Sequence, residues 1–271
     1  MANVTKYMST LTKRMLTRIE LIFWSILFVE FWVAMWILVF AKYTPPIKEA
    51  QVAQVSTAYG SLLLISLSSV AVSIAYTTLY ASKAVRYVTK FTRLSPLKYL
   101  LENTLSSLIV LLVVSAVILS SVVAAFSWRF NVTILPNSMP GIAASTLLGA
   151  LLTYLLGLLV GLALVVFRAP RSASFAAYLP LMLGFISYSA LWVDFGKATY
   201  LLPYNCLTAL CYYFYSGFTP LTGAYVMSGG SLVSVRLAAA SLIAYIALLA
   251  AVDVVLLRKI YGVGVEEIRV V

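Results

Sequence analysis

The chain has 271 residues, of which 63% are hydrophobic and only 10% charged, with a mean hydropathy of +1.01. A water-soluble domain carries roughly a quarter charged residues, so the composition excludes an ordinary soluble globular protein and points to lipid as the main solvent. The net charge of +11 would suit nucleic acid, but the Lys and Arg gather on one side of a series of apolar runs, and membrane topology then explains them and removes nucleic acid as a partner.

There are two Cys and no His, so no zinc spacing exists and no imidazole serves as base or ligand. The first residues lack the apolar core and small-residue cleavage site of a secretory signal. No repeat of 20–50 residues and no low-complexity linker interrupts the chain. The expectation is an all-α membrane protein, one transmembrane domain over 1–271.

Residues 1–20 open the chain. Val4, Tyr7, Met8, Leu11, Met15 and Ile19 recur at i, i+3, i+4, i+7 spacing, with Lys6, Lys13 and Arg14 opposite. Unbroken over about five turns, this predicts an amphipathic helix lying in the headgroup layer; the plainer reading is a flank that orients the next span. The first span covers 21–41. Glu30 sits near its middle beside Phe31 and Trp32. An ionised, unpaired acid there costs several kcal/mol, so Glu30 either lines a polar path or makes an interhelical hydrogen bond as a neutral carboxyl group. A loop with Pro45-Pro46 follows over 42–56, then a second span over 57–81 with Ser66, Ser69, Ser73 and Thr77 on one face, a pattern of helix packing.

The stretch 82–102, SKAVRYVTKFTRLSPLKYLLE, holds five basic residues and one acid, Glu102, between two spans. Such charge density sits in water, and its sign names the cytoplasm. Arg86, Lys90 and Arg93 share a face at i, i+4, i+7 and Phe91 lies on another, which fits a short amphipathic helix. Ser95-Pro96 reads as N-cap and first helical position, because Pro lacks only a donor that is unpaired there anyway. The plainer reading is a topogenic loop; the one-sided basic face favours a docking surface.

The third span covers 104–126. An outer loop over 127–141 carries the glycosylation sequon Asn131-Val132-Thr133. In the fourth span, 142–167, Ser145, Gly149, Thr153, Gly157 and Gly161 recur every four residues and predict close approach of another helix. Arg168-Ala-Pro-Arg171 is a tight inner turn. The fifth span, 174–192, contains Pro180, which should kink it, and ends at Asp194.

Residues 195–235 are apolar and aromatic in pieces too short to cross, with Tyr200, Tyr204, Tyr212, Tyr213 and Tyr215 among them. Aromatic residues favour the headgroup level, and a re-entrant helical segment covered by protein fits. Cys206 and Cys211 are too far apart on an ideal helix to bridge, so free thiols are expected. The last span covers 237–257. Asp253, near its inner end, is expected to lean toward Arg258 and Lys259.

Lys42, Lys48, Arg129, Lys197 and Arg236 fall on the outer side, leaving fourteen of the 19 basic residues inside. Six spans with both termini in the cytoplasm of a cell-membrane protein satisfy the positive-inside rule. The chain has no phosphate loop, nucleophile elbow, HExxH motif or paired intramembrane aspartates. No catalytic, metal or cofactor-binding residue is expected, and the chain reads as not an enzyme.

The order of these parts, over nearly the whole chain, resembles the membrane subunit of type-2 ATP-binding-cassette transporters, the exporter-type permeases. The resemblance rests on the amphipathic leading helix, the six spans, the basic helical loop ending in Leu94-Ser95-Pro96-Leu97, and the segment before the last span. It implies that the loop after span two docks on a separate ATPase subunit holding ATP and magnesium, and that two permease subunits pair as a homo- or heterodimer. The Gly-Thr and Glu that often precede the loop's Pro in that family read Tyr87-Val88 and Lys90 here, which implies a more acidic partner groove. A non-transporting anchor or assembly subunit and a stand-alone secondary transporter are the alternative readings.

Overall fold

The computed structural model of the chain describes residues 2–91, 96–169, 172–223 and 230–262. It is all-helical, and six of its helical segments are long and apolar enough to cross a membrane: Phe23–Tyr43, Lys48–Tyr80, Leu101–Phe130, Met139–Val166, Ala173–Leu191 and Val235–Lys259.

Helix α1, Ala2–Leu16, ends where Thr17 turns its hydroxyl back onto the carbonyl oxygens of Lys13 (2.9 Å) and Arg14 (3.4 Å). Such local bonds compete with helix propagation. The leading segment is therefore not one unbroken helix over 1–20: α2, Ile19–Ile22, begins after the break. A π-turn over Phe23–Leu27 then leads into α3, Phe28–Leu38, and a 3₁₀ turn over Phe40–Tyr43.

Helix α4, Lys48–Phe91, has 44 residues, about 66 Å at 1.5 Å per residue, against a hydrocarbon core of about 30 Å. It starts nine residues earlier than the hydropathy start at 57, because Glu49, Gln51 and Gln54 are helix-compatible polar residues. At the other end it continues through 82–91, so the basic stretch after span two extends that helix and is not a separate one. Helix α5, Pro96–Phe130, restarts at the Pro. It stops at Asn131, whose φ of 53° is left-handed, a conformation Asn tolerates at helix ends.

Helix α6, Met139–Val166, is capped by Ser138, whose Oγ accepts from the Gly141 amide at 3.2 Å, with Pro140 in the first turn. Helices α7, Ala173–Ala176, and α8, Leu179–Tyr188, form the fifth span. Pro180 stands in the first turn of α8; it starts a helix after a two-residue turn instead of kinking a continuous one, since the first turn needs no amide donor there. Helices α9, Pro203–Ser216, and α10, Val235–Gly262, complete the order.

Two thirds of the apolar windows of α4 and α6 are buried, against 17% for α10 and 22% for α7–α8. The bundle is thus built on the α4–α6 pair, and the peripheral helices present apolar faces outward. Glycines set the spacing of that pair. A Cβ on Gly157 would lie 2.7 Å from the Ala71 carbonyl oxygen, and one on Gly161 2.8 Å from that of Ala75. Gly149 meets the side chains of Leu207 on α9 (2.8 Å) and Leu67 on α4 (3.2 Å). The fourth-span small-residue face therefore packs on α4, with α9 against the N-terminal half of α6.

Candidate functional site

The deepest feature of the fold is α9. Its fourteen residues span about 21 Å, too short to cross, yet Tyr204, Cys206, Leu207, Leu210, Cys211 and Tyr215 are all buried. It packs among α4, α6 and α10. Backbone buried in this way needs partners for its terminal polar groups, and the surrounding loops provide them. The amides of Asn137 and Ser138 donate to the carbonyl oxygens of Tyr215 and Phe214 at 2.8 and 2.9 Å. The Tyr215 hydroxyl donates to the Ile134 carbonyl oxygen at 3.0 Å. Gly217, at φ 78°, terminates the helix in the left-handed conformation. Ahead of α9, the 3₁₀ turn Gly196–Leu201 is covered by α10: Ser241 Oγ donates to the Tyr200 carbonyl oxygen at 2.6 Å and Tyr245 Oη to that of Leu201 at 2.7 Å.

Between α9, the first half of α4 and the end of α8 lies a cavity of about 630 Å³. Its mouth is formed by the exposed Tyr43, Pro45 and Leu221, and its floor by the buried Ser56, Leu64, Thr199 and Asn205. Among the described residues, no Lys, Arg, Asp or Glu lines it. The polar groups are hydroxyls and amides, and the rest of the wall is apolar. Asn205 is 2% exposed, and neither its Oδ1 nor its Nδ2 has a hydrogen-bond partner; the Thr199 Oγ1, 1% exposed, has none either. Gly60 lets α9 come close to α4 below this point, since a Cβ there would touch the Thr208 carbonyl oxygen at 3.4 Å.

One side of the cavity is clasped by Asp194. Its Oδ1 accepts from Thr222 Oγ1 at 2.5 Å and the Gly196 amide at 2.8 Å, and its Oδ2 accepts from the hydroxyl and amide of Ser231 at 2.7 and 3.1 Å. The hydroxyls of Thr222 and Ser231, with the Gly196 amide, hold this carboxyl at about 2, well below the usual carboxylate range. The clasp ties the end of the fifth span to the loop that precedes the sixth, beside an antiparallel bridge between Leu221 and Leu232.

The other residues singled out by the sequence lie elsewhere. Glu30 is half-buried in the first turn of α3. Asp253 is 2% exposed and neither of its oxygens has a hydrogen-bond partner. It does not lean toward Arg258 and Lys259, which are exposed; five and six residues on along a helix, they point away from its face. On α6, the Tyr154 hydroxyl accepts from Thr104 Oγ1 at 2.9 Å. Glu102, read as part of a water-facing loop, is 1% exposed and also lacks a partner for both oxygens. Cys206 and Cys211 are buried free thiols. Pro96 opens α5. Arg93 and Ser95 lie outside the described residues, as do the side chains of Arg86, Lys90 and Phe91 on the helical backbone of α4.

Comparisons with protein-family models, with curated proteins and with solved structures give no match to this chain. Among the described residues no group of His, Cys, Asp and Glu could hold a metal ion.

Asn205 carries no signal in hydropathy or motif. The clue was a single amide in a run of apolar and aromatic residues, where an unneeded polar group would be costly.

Proposed function

We propose that the chain is the permease subunit of an ATP-driven transporter of the type-2 ATP-binding-cassette class, an exporter of the cell membrane energised by a separate ATPase subunit. The observation that carries this reading is the continuous helical backbone of α4 through the basic stretch to Phe91, followed by the restart of α5 at Pro96. That helical backbone carries Arg86 and Lys90 in sequence, in a chain with no phosphate loop of its own. A basic helix continuous with a span is what a separate energy-supplying subunit needs in order to transmit movement. The short buried α9 ahead of the last span supports a re-entrant segment on the outer side, and α1 a helix in the inner headgroup layer. Two copies of the chain, or this chain and a related one, pair around the transport path.

Affinity purification of the full chain from its native membrane tests this. An ATPase of the cassette class should come with it, and the Arg86→Glu/Lys90→Glu/Arg93→Glu variant should lose that subunit while keeping its membrane yield. Purification of the wild-type chain alone would rule the reading out.

A stand-alone carrier coupled to an ion gradient is the second reading. It is favoured by Glu102 and Asp253, two buried carboxyl groups without hydrogen-bond partners, because intramembrane acids mark proton and ion paths. Proteoliposomes holding only this chain would then show gradient-driven flux that disappears in Asp253→Asn.

A further inference from the structure

The segment that closes one side of the cavity goes beyond either reading, since nothing in it depends on how transport is energised. After α9 the chain turns at Gly217 (φ 78°) and again at Gly223 (φ 68°), left-handed conformations that glycine adopts without steric cost. Residues 218–223 pair with 231–233. The Thr222 amide donates to the Ser231 carbonyl oxygen at 3.1 Å, and the Val233 amide to that of Pro220 at 2.9 Å. This two-stranded strap lies over the cavity: Pro220, Thr222 and Val233 are buried in its wall, and Leu221 stands exposed at the mouth.

The strap is fastened to the bundle by polar contacts. Its large apolar side chains, Phe218, Leu221 and Leu232, are 40%, 45% and 71% exposed and so bury little area. Among the described residues, its hydrogen bonds beyond α9 and α10, the helices at its two ends, all reach the segment 190–200. The Asp194 carboxylate accepts from Thr222 Oγ1 at 2.5 Å and from the hydroxyl and amide of Ser231 at 2.7 and 3.1 Å. The Gly223 amide donates to the Ala190 carbonyl oxygen at 2.7 Å, and the Ser234 amide to Tyr200 Oη at 2.8 Å. Three of these five bonds end on one carboxylate, and Asp194 is exposed, so water can take them over. An element held by exposed hydrogen bonds and few buried apolar contacts opens locally at low cost.

We propose that this strap is a gate on the cavity and that Asp194 is its latch. When Thr222 and Ser231 leave the carboxylate, residues 218–223 swing away on Gly217 and open a wider way into the cavity than the mouth at Tyr43 and Pro45.

The test uses the full chain in phosphatidylcholine nanodiscs with Ser61→Cys, a conservative reporter on the buried α4 wall of the cavity. Its reaction with the bulky reagent fluorescein maleimide is followed peptide by peptide in a mass spectrometer, which separates it from the native thiols Cys206 and Cys211. Labelling should be slow with Asp194 in place and about tenfold faster with Asp194→Ala, because bonds to a charged acceptor are stronger than neutral ones. Thr222→Val and Ser231→Ala each take one side-chain bond from the latch. They should accelerate labelling about threefold, and they cover the case in which Asp194→Ala fails to fold. Ser115→Cys, buried on α5 away from the cavity lining, should keep one rate in all these variants. An unchanged rate at Ser61→Cys in the folded variants, or an equal rise at Ser115→Cys, would overturn the proposal.

Discussion

Ser66 Oγ on α4 donates to the carbonyl oxygen of Ser25 at 2.7 Å, and Ser25 lies in the π-turn of the first span. A π-turn widens the backbone and displaces its carbonyl groups from regular helical partners. Ser25 Oγ in turn donates to the Leu21 carbonyl oxygen at 2.6 Å. The serine stripe on span two thus reaches across to the first span at Ser66, while Ser69 bonds back to Ile65 on its own helix at 2.8 Å. Ser66→Ala should lower stability by about 1 kcal/mol and Ser69→Ala by less, as read from thermal unfolding in detergent. Equal effects at the two positions would contradict this division.

The α4–α6 contact predicts a graded series. Gly157→Leu and Gly161→Leu drive side chains into the backbone oxygens of Ala71 and Ala75, which cannot step aside without moving α4. Each should cost about 1–3 kcal/mol or more and reduce monodisperse yield in size-exclusion chromatography. Gly149→Ala should be milder, since its neighbour at 2.8 Å is the end of the flexible Leu207 side chain.

Asp194 makes the clasp beside the cavity sensitive to acid. Its carboxyl is held at about 2 in the folded chain, from an ordinary value of 3.8. The stabilisation is therefore complete above about pH 4 and is lost as the pH falls through about 2. Thermal unfolding of the wild type should weaken across that window, while Asp194→Asn, which replaces an anion accepting four hydrogen bonds, should start lower and change less. A wild-type chain with no steeper acid dependence than the variant would remove the clasp as a stabilising contact.

Asp253 is expected to be a cost to the fold. It is buried, and neither of its oxygens has a hydrogen-bond partner. Asp253→Leu should raise stability by about 1 kcal/mol or more, measured by thermal unfolding. A large loss instead would mean that the carboxyl group holds the helices together.

The six crossing helices were legible because each is an apolar run of the length a bilayer requires. Their ends were not, because hydropathy reports solvent and not backbone: α4 stays helical through Glu49 and Gln54 and onward to Phe91 although those stretches are polar. Pro180 could be seen as a helix feature, but whether it kinks or starts one depends on the two residues before it. The small-residue face of span four was visible as a packing face; that α4 is the helix against it needs three-dimensional contacts. Asp253 was misread because its distance to Arg258 and Lys259 was judged along the chain and not around the helix. Asn205 escaped notice because one amide in an aromatic run gains meaning only when its surroundings leave it unpaired.

Energy is proposed to enter through a second protein at the end of α4. The most direct measurement is photolabelling with azido-ATP of the complex purified through this chain from its native membrane. A labelled subunit distinct from this chain is expected, and it should be lost when Arg86, Lys90 and Arg93 become Glu. A wild-type preparation that contains this chain and no nucleotide-labelled partner would contradict it.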